Sequence, residues 1–467
     1  MRAIWGWLEE RLELDRTVFE VLRHPVPAAL AGRIGWWYVF GATTLAVFIV
    51  QIVTGVGLAM TYVPAPNSAY DTLQFISHDA TLGNIVRGIH YWGAGAMVVL
   101  ILIHMSQVFL FGAYKYPREV NWLSGSLLLL ATLAMAFTGQ LLRWDQDAFW
   151  AVVVAAEQAA RAPIIGDWLA KLVIAGQTVG GATLTRFYAT HVFLIPAAMF
   201  GLIGLHLYLV IRRGISEPPV PGDVVRPRAY RQRYADLLRR GIPFYPDAAY
   251  RDAIVAFVAV VVVVVLAGVV GAPPLGKTAD PTVVLADPRP DWYFLGYFSL
   301  LALIPREAES LVIIGLPTFA FVYLFAVPLL FPYGERHWSR RPVAIGVVVL
   351  PFVIYAALTV AGFSSPWVPV LGADARLPDT VTAGLTASER HGAQLFIDKS
   401  CFACHQIAGA GGRRGPDLSD VASHLTRERI VERILNGGAA GMPSYAGTMT
   451  PRELDDLVAF LETRQAH

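Results

Sequence analysis

Residues 88–106 read GIHYWGAGAMVVLILIHMS and residues 189–209 read ATHVFLIPAAMFGLIGLHLYL. His90 and His104 stand 14 residues apart with no charged residue between them, and His191 and His206 stand 15 apart. At 1.5 Å per residue this is about 21 to 22 Å of helix against a hydrocarbon core of roughly 30 Å, so each helix carries imidazoles at two depths of one membrane. At about 100° per residue both spacings return the second histidine to nearly the face of the first. Two such helices facing each other make two axial pairs, one above the other. A histidine from each of two facing helices is how a bundle clamps a flat metallocofactor edge-on, and haem is the natural candidate. Any one of these residues reads equally well as a core imidazole satisfied by hydrogen bonds. Four matched in two pairs point to two non-covalent b-type haems, because ionisable residues inside membrane segments are rare and usually functional.

The rest of the chain fits a membrane setting. Of 467 residues, 55% are hydrophobic and only 15% charged, well below the roughly 25% of a soluble domain. Apolar runs at about 35–62, 88–112, 122–139, 190–212, 253–272, 311–332 and 342–363 are each near the length of a bilayer span. The connection after the fourth run holds Arg212, Arg213, Arg226, Arg228, Arg231, Arg233, Arg239, Arg240 and Arg251, and the one after the sixth holds Arg336, Arg340 and Arg341. By the positive-inside rule these loops and the N-terminus are cytoplasmic, and seven spans put the C-terminus outside. His90 then pairs with His191 near the outer face and His104 with His206 near the cytoplasm. Residues 1–32 read as a cytoplasmic amphipathic segment rather than a signal peptide. A net charge of +2 without aromatic-interleaved basic clusters excludes a nucleic-acid binder.

Gly41 and Gly55, and again Gly125 and Gly139, repeat the 14-residue interval of His90 and His104. Backbone without side chains would let a macrocycle pack at two heights, although helix packing also selects glycine in membranes. Arg87, Arg118 and Arg186 lie near span ends, as cations for haem propionates or as snorkelling interface residues. Between the fifth and sixth spans, Pro290, Asp291, Trp292 and Tyr293 place an acid among aromatics at the membrane surface. Such an acid can take a proton from a substrate arriving through the lipid, its pKa raised toward neutrality by desolvation; an interfacial aromatic belt is the competing reading.

After a polar stretch at 364–383 comes a soluble segment holding the chain's two cysteines as Cys401-Phe402-Ala403-Cys404-His405. This C-x-x-C-H pattern attaches a c-type haem covalently, with His405 as an iron ligand. Zinc would need two more ligands, and a thioredoxin-like motif a βαβ context that is absent. Met442 is the expected sixth ligand and Met449 the alternative. Helices at about 387–399, 426–436 and 451–463 would wrap the group.

On these residues the chain resembles cytochrome b of the quinol:cytochrome c oxidoreductases, joined to a class I cytochrome c domain. Residues 33–218 resemble the four-helix subunit of the chloroplast-type complex, in the 15-residue His191 to His206 interval and in the stretches TLTRFY and GISEPP. Residues 240–363 resemble its three-helix subunit IV, with Pro290 to Tyr293 on the family's Pro-Glu-Trp-Tyr motif. The implied fold class is all-α, a seven-transmembrane-helix di-haem cytochrome b bundle plus a small soluble α-helical cytochrome c domain. The expected division is 1–32 amphipathic segment, 33–218 di-haem domain, 219–251 cytoplasmic linker, 252–363 quinol-site domain, 364–383 linker and 384–467 cytochrome c domain.

The resemblance implies a proton-translocating quinol–cytochrome c reductase in a respiratory chain of the bacterial cytoplasmic membrane. Quinol is oxidised near the outer face at Pro290, Asp291, Trp292 and Tyr293. One electron passes to a Rieske iron–sulfur protein and then to the c haem; the other crosses by the two b haems to an inner quinone site. A downstream cytochrome c or terminal oxidase, the quinone pool, membrane lipid and a homodimeric complex are the implied partners, with no nucleic acid. Three departures stand out: Asp291 where the family has Glu, Arg143 where it has Pro with Gln140 where a Tyr is common, and Val39 where the chloroplast type has a haem-tethering Cys. The competing class is a di-haem anchor relaying electrons between the quinone pool and an external dehydrogenase. A transporter is disfavoured because no broken-helix repeat is apparent.

Overall fold

The computed structural model describes residues 22–175, 179–279, 289–364, 376–411, 416–437 and 442–465. The amphipathic segment expected over 1–32 therefore lies mostly outside the described residues.

Among the described residues, seven helices are long and apolar enough to cross a membrane. They are α1 (Arg33–Ala59), α3 (Gly83–Leu110), α4 (Glu119–Leu141), α7 (Gly181–Arg213), α9 (Phe244–Val269), α11 (Ala308–Leu330) and α12 (Pro342–Ser364). A lipid solvent leaves the backbone no alternative, since every N–H and C=O must be satisfied within the segment. α1 packs on α3 and α7 on α4, α9 lies against both α1 and α3, and α11 and α12 flank the group. Large apolar side chains such as Phe257, Phe319 and Phe352 remain exposed on the outer faces of the last three spans, as lipid-facing surface must.

α7 departs from a regular helix at Thr190–Leu194, which forms a π-turn, followed by Pro196. A π-turn inserts one residue without advancing the face of the helix. The 15 residues from His191 to His206 therefore span the same angular interval as the 14 from His90 to His104. The two helices carry their imidazoles in matching register despite the unequal counts.

The bundle end nearer His90 and His191, the outer end of the expected topology, is closed by α2 (Ala69–His78) and by α5 (Gln146–Ala160) with α6 (Gly166–Ile174), a hairpin that follows α4. Asp145 caps α5 by accepting from Ala148 N, and the segment after it pairs with the start of the next outer loop through Gln146 N to Lys277 O and Ala279 N to Trp144 O.

The opposite end, inner in that topology, differs from its expected form. The 219–251 stretch is an ordered strap: β2 (Val224–Val225), α8 (Pro227–Arg239) and β3 (Ile242–Pro243) precede α9. β3 pairs with β1 (Pro25–Val26), and β2 pairs with β4 (Gly334–Glu335) of the last inner loop. Arg251, counted above as a loop residue, is inside α9 and buried, donating to Leu30 O (3.1 Å) and to Ala31 O. Buried Arg336 is held by Glu217 (2.7 Å), which also accepts from Arg233 (2.8 Å) and from Tyr230 (2.8 Å).

In the C-terminal domain α13 (Ala387–Asp398), α15 (Arg427–Asn436) and α16 (Pro451–Glu462) surround the short helix α14 (Cys401–Cys404). Thr386 with Glu389 and Thr450 with Glu453 form capping boxes at the starts of α13 and α16. Gly392 lets the two helices cross in contact, since a Cβ there would collide with Asp456 O.

Glu217→Ala would leave Arg336 buried and unpaired, at a cost on the order of 3 kcal/mol. The expected result is earlier proteolytic cleavage of the strap and a lower melting temperature in detergent. Arg336 holds the Glu217 carboxyl below its ordinary range against the upward push of burial. Its stabilisation is thus complete above the unfolded value of about 4.3 and lost as pH falls through the lowered folded value.

Candidate functional site

The four histidines meet in two levels. The His90 and His191 rings have centroids 6.4 Å apart and are inclined by 76°. Two metal–nitrogen bonds of about 2 Å and two ring radii of about 1 Å need roughly this separation. His104 and His206 line one cavity of about 610 Å³ with Gly41, Gly125 and Arg118. This is the pairing expected from topology.

The hydrogen bonds around the rings determine which nitrogen is left for a metal. Thr54 Oγ1 donates to Val50 O (2.7 Å) and lies 3.0 Å from His90 Nδ1. Thr138 Oγ1 donates to Ala134 O (2.8 Å) and lies 3.1 Å from His191 Nδ1. Ser124 Oγ donates to Asn121 O (2.8 Å) and lies 2.9 Å from His206 Nδ1. Each hydroxyl has one hydrogen and has already given it to a carbonyl, so it accepts from the imidazole. Nδ1 therefore carries the proton and Nε2 presents a lone pair. Phe40 occupies the equivalent place for His104, whose buried Nδ1 has no protein partner.

The four glycines serve these rings directly. A Cβ on Gly55 would lie 3.2 Å from His90 Cε1, on Gly139 2.7 Å from His191 Cε1, on Gly41 3.1 Å from His104 Cε1 and on Gly125 3.4 Å from His206 Cε1. The sequence reading set a macrocycle against this backbone; the structure sets the edges of the imidazoles there. In each case the hydroxyl residue, where there is one, immediately precedes the glycine. The pairs Thr54-Gly55, Ser124-Gly125 and Thr138-Gly139 were readable in the sequence once the glycines had been noticed.

Of the three arginines, Arg118 lines the inner cavity, although it is also tied to Gly214 O (2.9 Å) and Tyr230 Oη (2.7 Å). Arg87 donates to Ser77 Oγ (3.2 Å) and Pro273 O (2.6 Å) at the outer end. Arg186 is exposed and donates to Leu172 O (3.1 Å).

A second constellation stands at the outer end. Asp291 precedes α10 (Trp292–Leu303), and Tyr293 Oη donates to Asp291 Oδ2 at 2.8 Å. Tyr355 of α12 donates to Tyr293 O (2.5 Å), fixing α10 against α12. Trp292 Nε1 is 3.6 Å from where a Cβ on Gly95 would be, five residues along α3 from His90. Burial, and after it the Asp291 carboxylate, push the Tyr293 hydroxyl well above its ordinary range, so it remains a donor. Tyr91 also lies within the field of Asp291. Tyr91 and Tyr355 escaped the sequence reading because their neighbours come from other helices. Pro290 leads into this turn.

In the C-terminal domain His405 Nδ1 lies 2.9 Å from Pro416 O, which again fixes the tautomer and frees Nε2. Burial holds this imidazole below the ordinary histidine range, hence neutral. Burial, with Cys404 adjacent, pushes the Cys401 thiol up to about 12, unlike the thiolate of a zinc or redox site. Among the described residues no three His, Cys, Asp or Glu side chains converge as a metal-ion site. Met442 and Met449 both pack against the core of this domain. The residues fit haem in all three places.

Comparison with known proteins follows the same division. Residues 26–214 match the family model described as Cytochrome b/b6/petB, 278–373 that of Cytochrome b(C-terminal)/b6/petD, and 387–461 that of Cytochrome C oxidase, cbb3-type, subunit III. The menaquinol:cytochrome c reductase cytochrome b subunit of Bacillus subtilis (strain 168) is 38% identical over 223 residues, 47% of this chain and 99% of that protein. Cytochrome b6 of Heliobacterium modesticaldum is 38% identical over 214 residues, 46% of this chain and 99% of that one. A solved structure titled "Hyperthermophilic respiratory Complex III" superposes with a TM-score of 0.64 at 26% identity, covering 77% of this chain and 91% of that chain.

Gly139→Ala is expected to displace His191 and remove about half of the b-type absorbance in a pyridine haemochrome assay. Gly125→Ala, where the added Cβ makes a near-ordinary contact, is expected to retain most of it.

Proposed function

The chain belongs to the cytochrome b/b6 family, as the cytochrome b subunit of a quinol:cytochrome c reductase or b6f-type complex with a cytochrome c domain attached, and we propose that it splits the two electrons of quinol. The reading rests on one observation above all: the Asp291–Tyr293 pair stands at the end of the bundle that holds His90 and His191.

Quinol enters from the lipid to the pocket bounded by Trp292, Tyr293 and Tyr91. Asp291 accepts the proton of the quinol hydroxyl, while Tyr293, donating to the same carboxylate, orients it toward the substrate. Tyr355 holds that turn in place through the Tyr293 carbonyl. Pro290 fixes the approach of the chain, and α5 with α6 shields the pocket from bulk water.

His90 with His191 and His104 with His206 would hold two b haems, and Cys401, Cys404 and His405 with Met442 would hold one c haem. When bound, these groups supply one-electron transfer: between outer and inner levels for one electron, and onward from a Rieske iron–sulfur partner for the other. Arg87 and Arg118 supply positive charge at the two levels. The part of the inner cavity lined by Tyr38, His24 and Asp252, beside the place where His104 and His206 would hold a haem, is where quinone is reduced and protons are taken up. Protons thus leave at one face and enter at the other.

The chain is expected in the bacterial cytoplasmic membrane, N-terminus inside and cytochrome c domain outside, within a homodimeric complex. A Rieske protein and a downstream cytochrome c or terminal oxidase complete the route.

The deciding experiment is quinol-driven reduction of the purified complex with the inner quinone site inhibited. Overshoot of b reduction together with c reduction is expected; c reduction only through b, or none, would overturn electron splitting. Asp291→Asn is expected to slow quinol oxidation about 10²-fold with all three haems retained. Unchanged turnover would remove the proton-acceptor role.

A further inference from the structure

The two histidine levels of the bundle are not equivalent in what touches the rings. At the level of His90 and His191 both Nδ1 atoms lie against a hydroxyl, Thr54 Oγ1 at 3.0 Å and Thr138 Oγ1 at 3.1 Å. At the level of His104 and His206 it is His206 that has one, Ser124 Oγ at 2.9 Å. Among the described residues the buried Nδ1 of His104 has no hydrogen-bond partner.

The difference lies in one residue of α1. Phe40 immediately precedes the glycine that faces His104, the place that Thr54, Ser124 and Thr138 take at the other three rings. The hydroxyls three and four residues further along do not replace it. Thr43 Oγ1 donates to Val39 O (2.9 Å) and Thr44 Oγ1 to Phe40 O (2.7 Å), so both are folded back on their own helix. A phenyl ring has no lone pair of that kind to offer an imidazole N–H.

An acceptor on the Nδ1–H of a ligating histidine makes the opposite nitrogen, Nε2, a stronger electron donor. Iron held at Nε2 then favours its oxidised, more positive state, and its reduction potential falls. Two acceptors at one level and one at the other lower the potential of the first level further. We propose that Phe40 is a positioning residue of electron transfer through the bundle: by denying His104 an acceptor it holds the His104–His206 level at a higher potential than the His90–His191 level. This rests on the reading above that the two histidine pairs hold b haems. In the step concerned one electron leaves the group at His90 and His191, which is oxidised, and arrives at the group at His104 and His206, which is reduced. No bond breaks and no proton moves. One such hydrogen bond changes the balance of oxidised and reduced forms by about tenfold, which is ~59 mV for a one-electron couple.

The test is an optical redox titration of the purified complex, with b haem counted by pyridine haemochrome, in Phe40→Ser, Ser124→Ala and Thr54→Val. Phe40→Ser puts a hydroxyl before Gly41 and should move the higher-potential b component down by ~59 mV, a tenfold shift toward the oxidised form. Ser124→Ala removes the acceptor of His206 and should move the same component up by a similar amount. Thr54→Val keeps the branched shape without the hydroxyl, and should raise the lower-potential component and narrow the gap. Potentials that stay in place in Ser124→Ala and Thr54→Val, with both b haems retained, would overturn the proposal. So would a Phe40→Ser protein whose higher-potential component does not move, or whose lower-potential component moves in its place. Fewer than two b haems in the unaltered protein would instead remove the haem reading on which the proposal rests.

Discussion

An imidazole buried in hydrocarbon has one N–H to place, and where that proton goes decides what the ring can do. In three of the four membrane histidines it goes to a hydroxyl whose own hydrogen is committed to a helix carbonyl. The helix ladder uses its carbonyls internally, so an acceptor must come from a side chain short enough to fold back on its own helix; Thr and Ser are such side chains. The adjacent glycine then clears the space the ring edge enters. Spacing, hydroxyl and glycine form one device, repeated along α1 and α4 at the interval set by the histidines of α3 and α7. The π-turn at Thr190–Leu194 belongs to it, because it returns a 15-residue interval to the phase of a 14-residue one.

The two ends of the bundle are held by different physics. At the inner end a buried carboxylate, Glu217, is surrounded by Arg336, Arg233 and Tyr230, and short strand pairs fasten the strap to the N-terminal segment and the last inner loop. Charges taken from water must be paired closely or not buried, which makes this end stiff. At the outer end the work is done by backbone pairing around Asp145 and by aromatic contacts around Trp292 and Tyr293. An ion pair between Arg143 and buried Asp145, and the bond from Tyr293 to Asp291, add to the backbone pairing there.

Periodicity and apolar length made the seven spans, the two histidine levels and the three main helices of the C-terminal domain legible, because each is a one-dimensional property of the chain. The strap was not legible: Pro227 and the arginines of PRAYRQRYADLLR suggest an open linker, yet Tyr230 and Tyr234 are buried against residues more than a hundred positions away. Arg251 was misassigned for the same reason, since its acceptors Leu30 and Ala31 come from the other end of the chain. The outer pocket was half legible. Asp291 and Tyr293 are neighbours in sequence, whereas Tyr91 and Tyr355 come from two other helices.

His104 tests the rule by breaking it. Phe40 precedes Gly41 where the other glycines follow Thr or Ser, so the Nδ1 of His104 finds no hydroxyl. His405, by contrast, needs none, because Pro416 sits in a loop and its carbonyl is not spent on a helix ladder. The cavity around His104 also receives Tyr38 Oη, Gln107 Nε2 and Asn121 Oδ1, each buried and without a protein partner. Leaving one polar group unsatisfied costs on the order of 1–3 kcal/mol, and four in one cavity are too costly to be incidental. His206, one of the three rings with a hydroxyl partner, lines the same cavity. The ring of His104 opens on a pocket whose polar lining is finished only by what it binds.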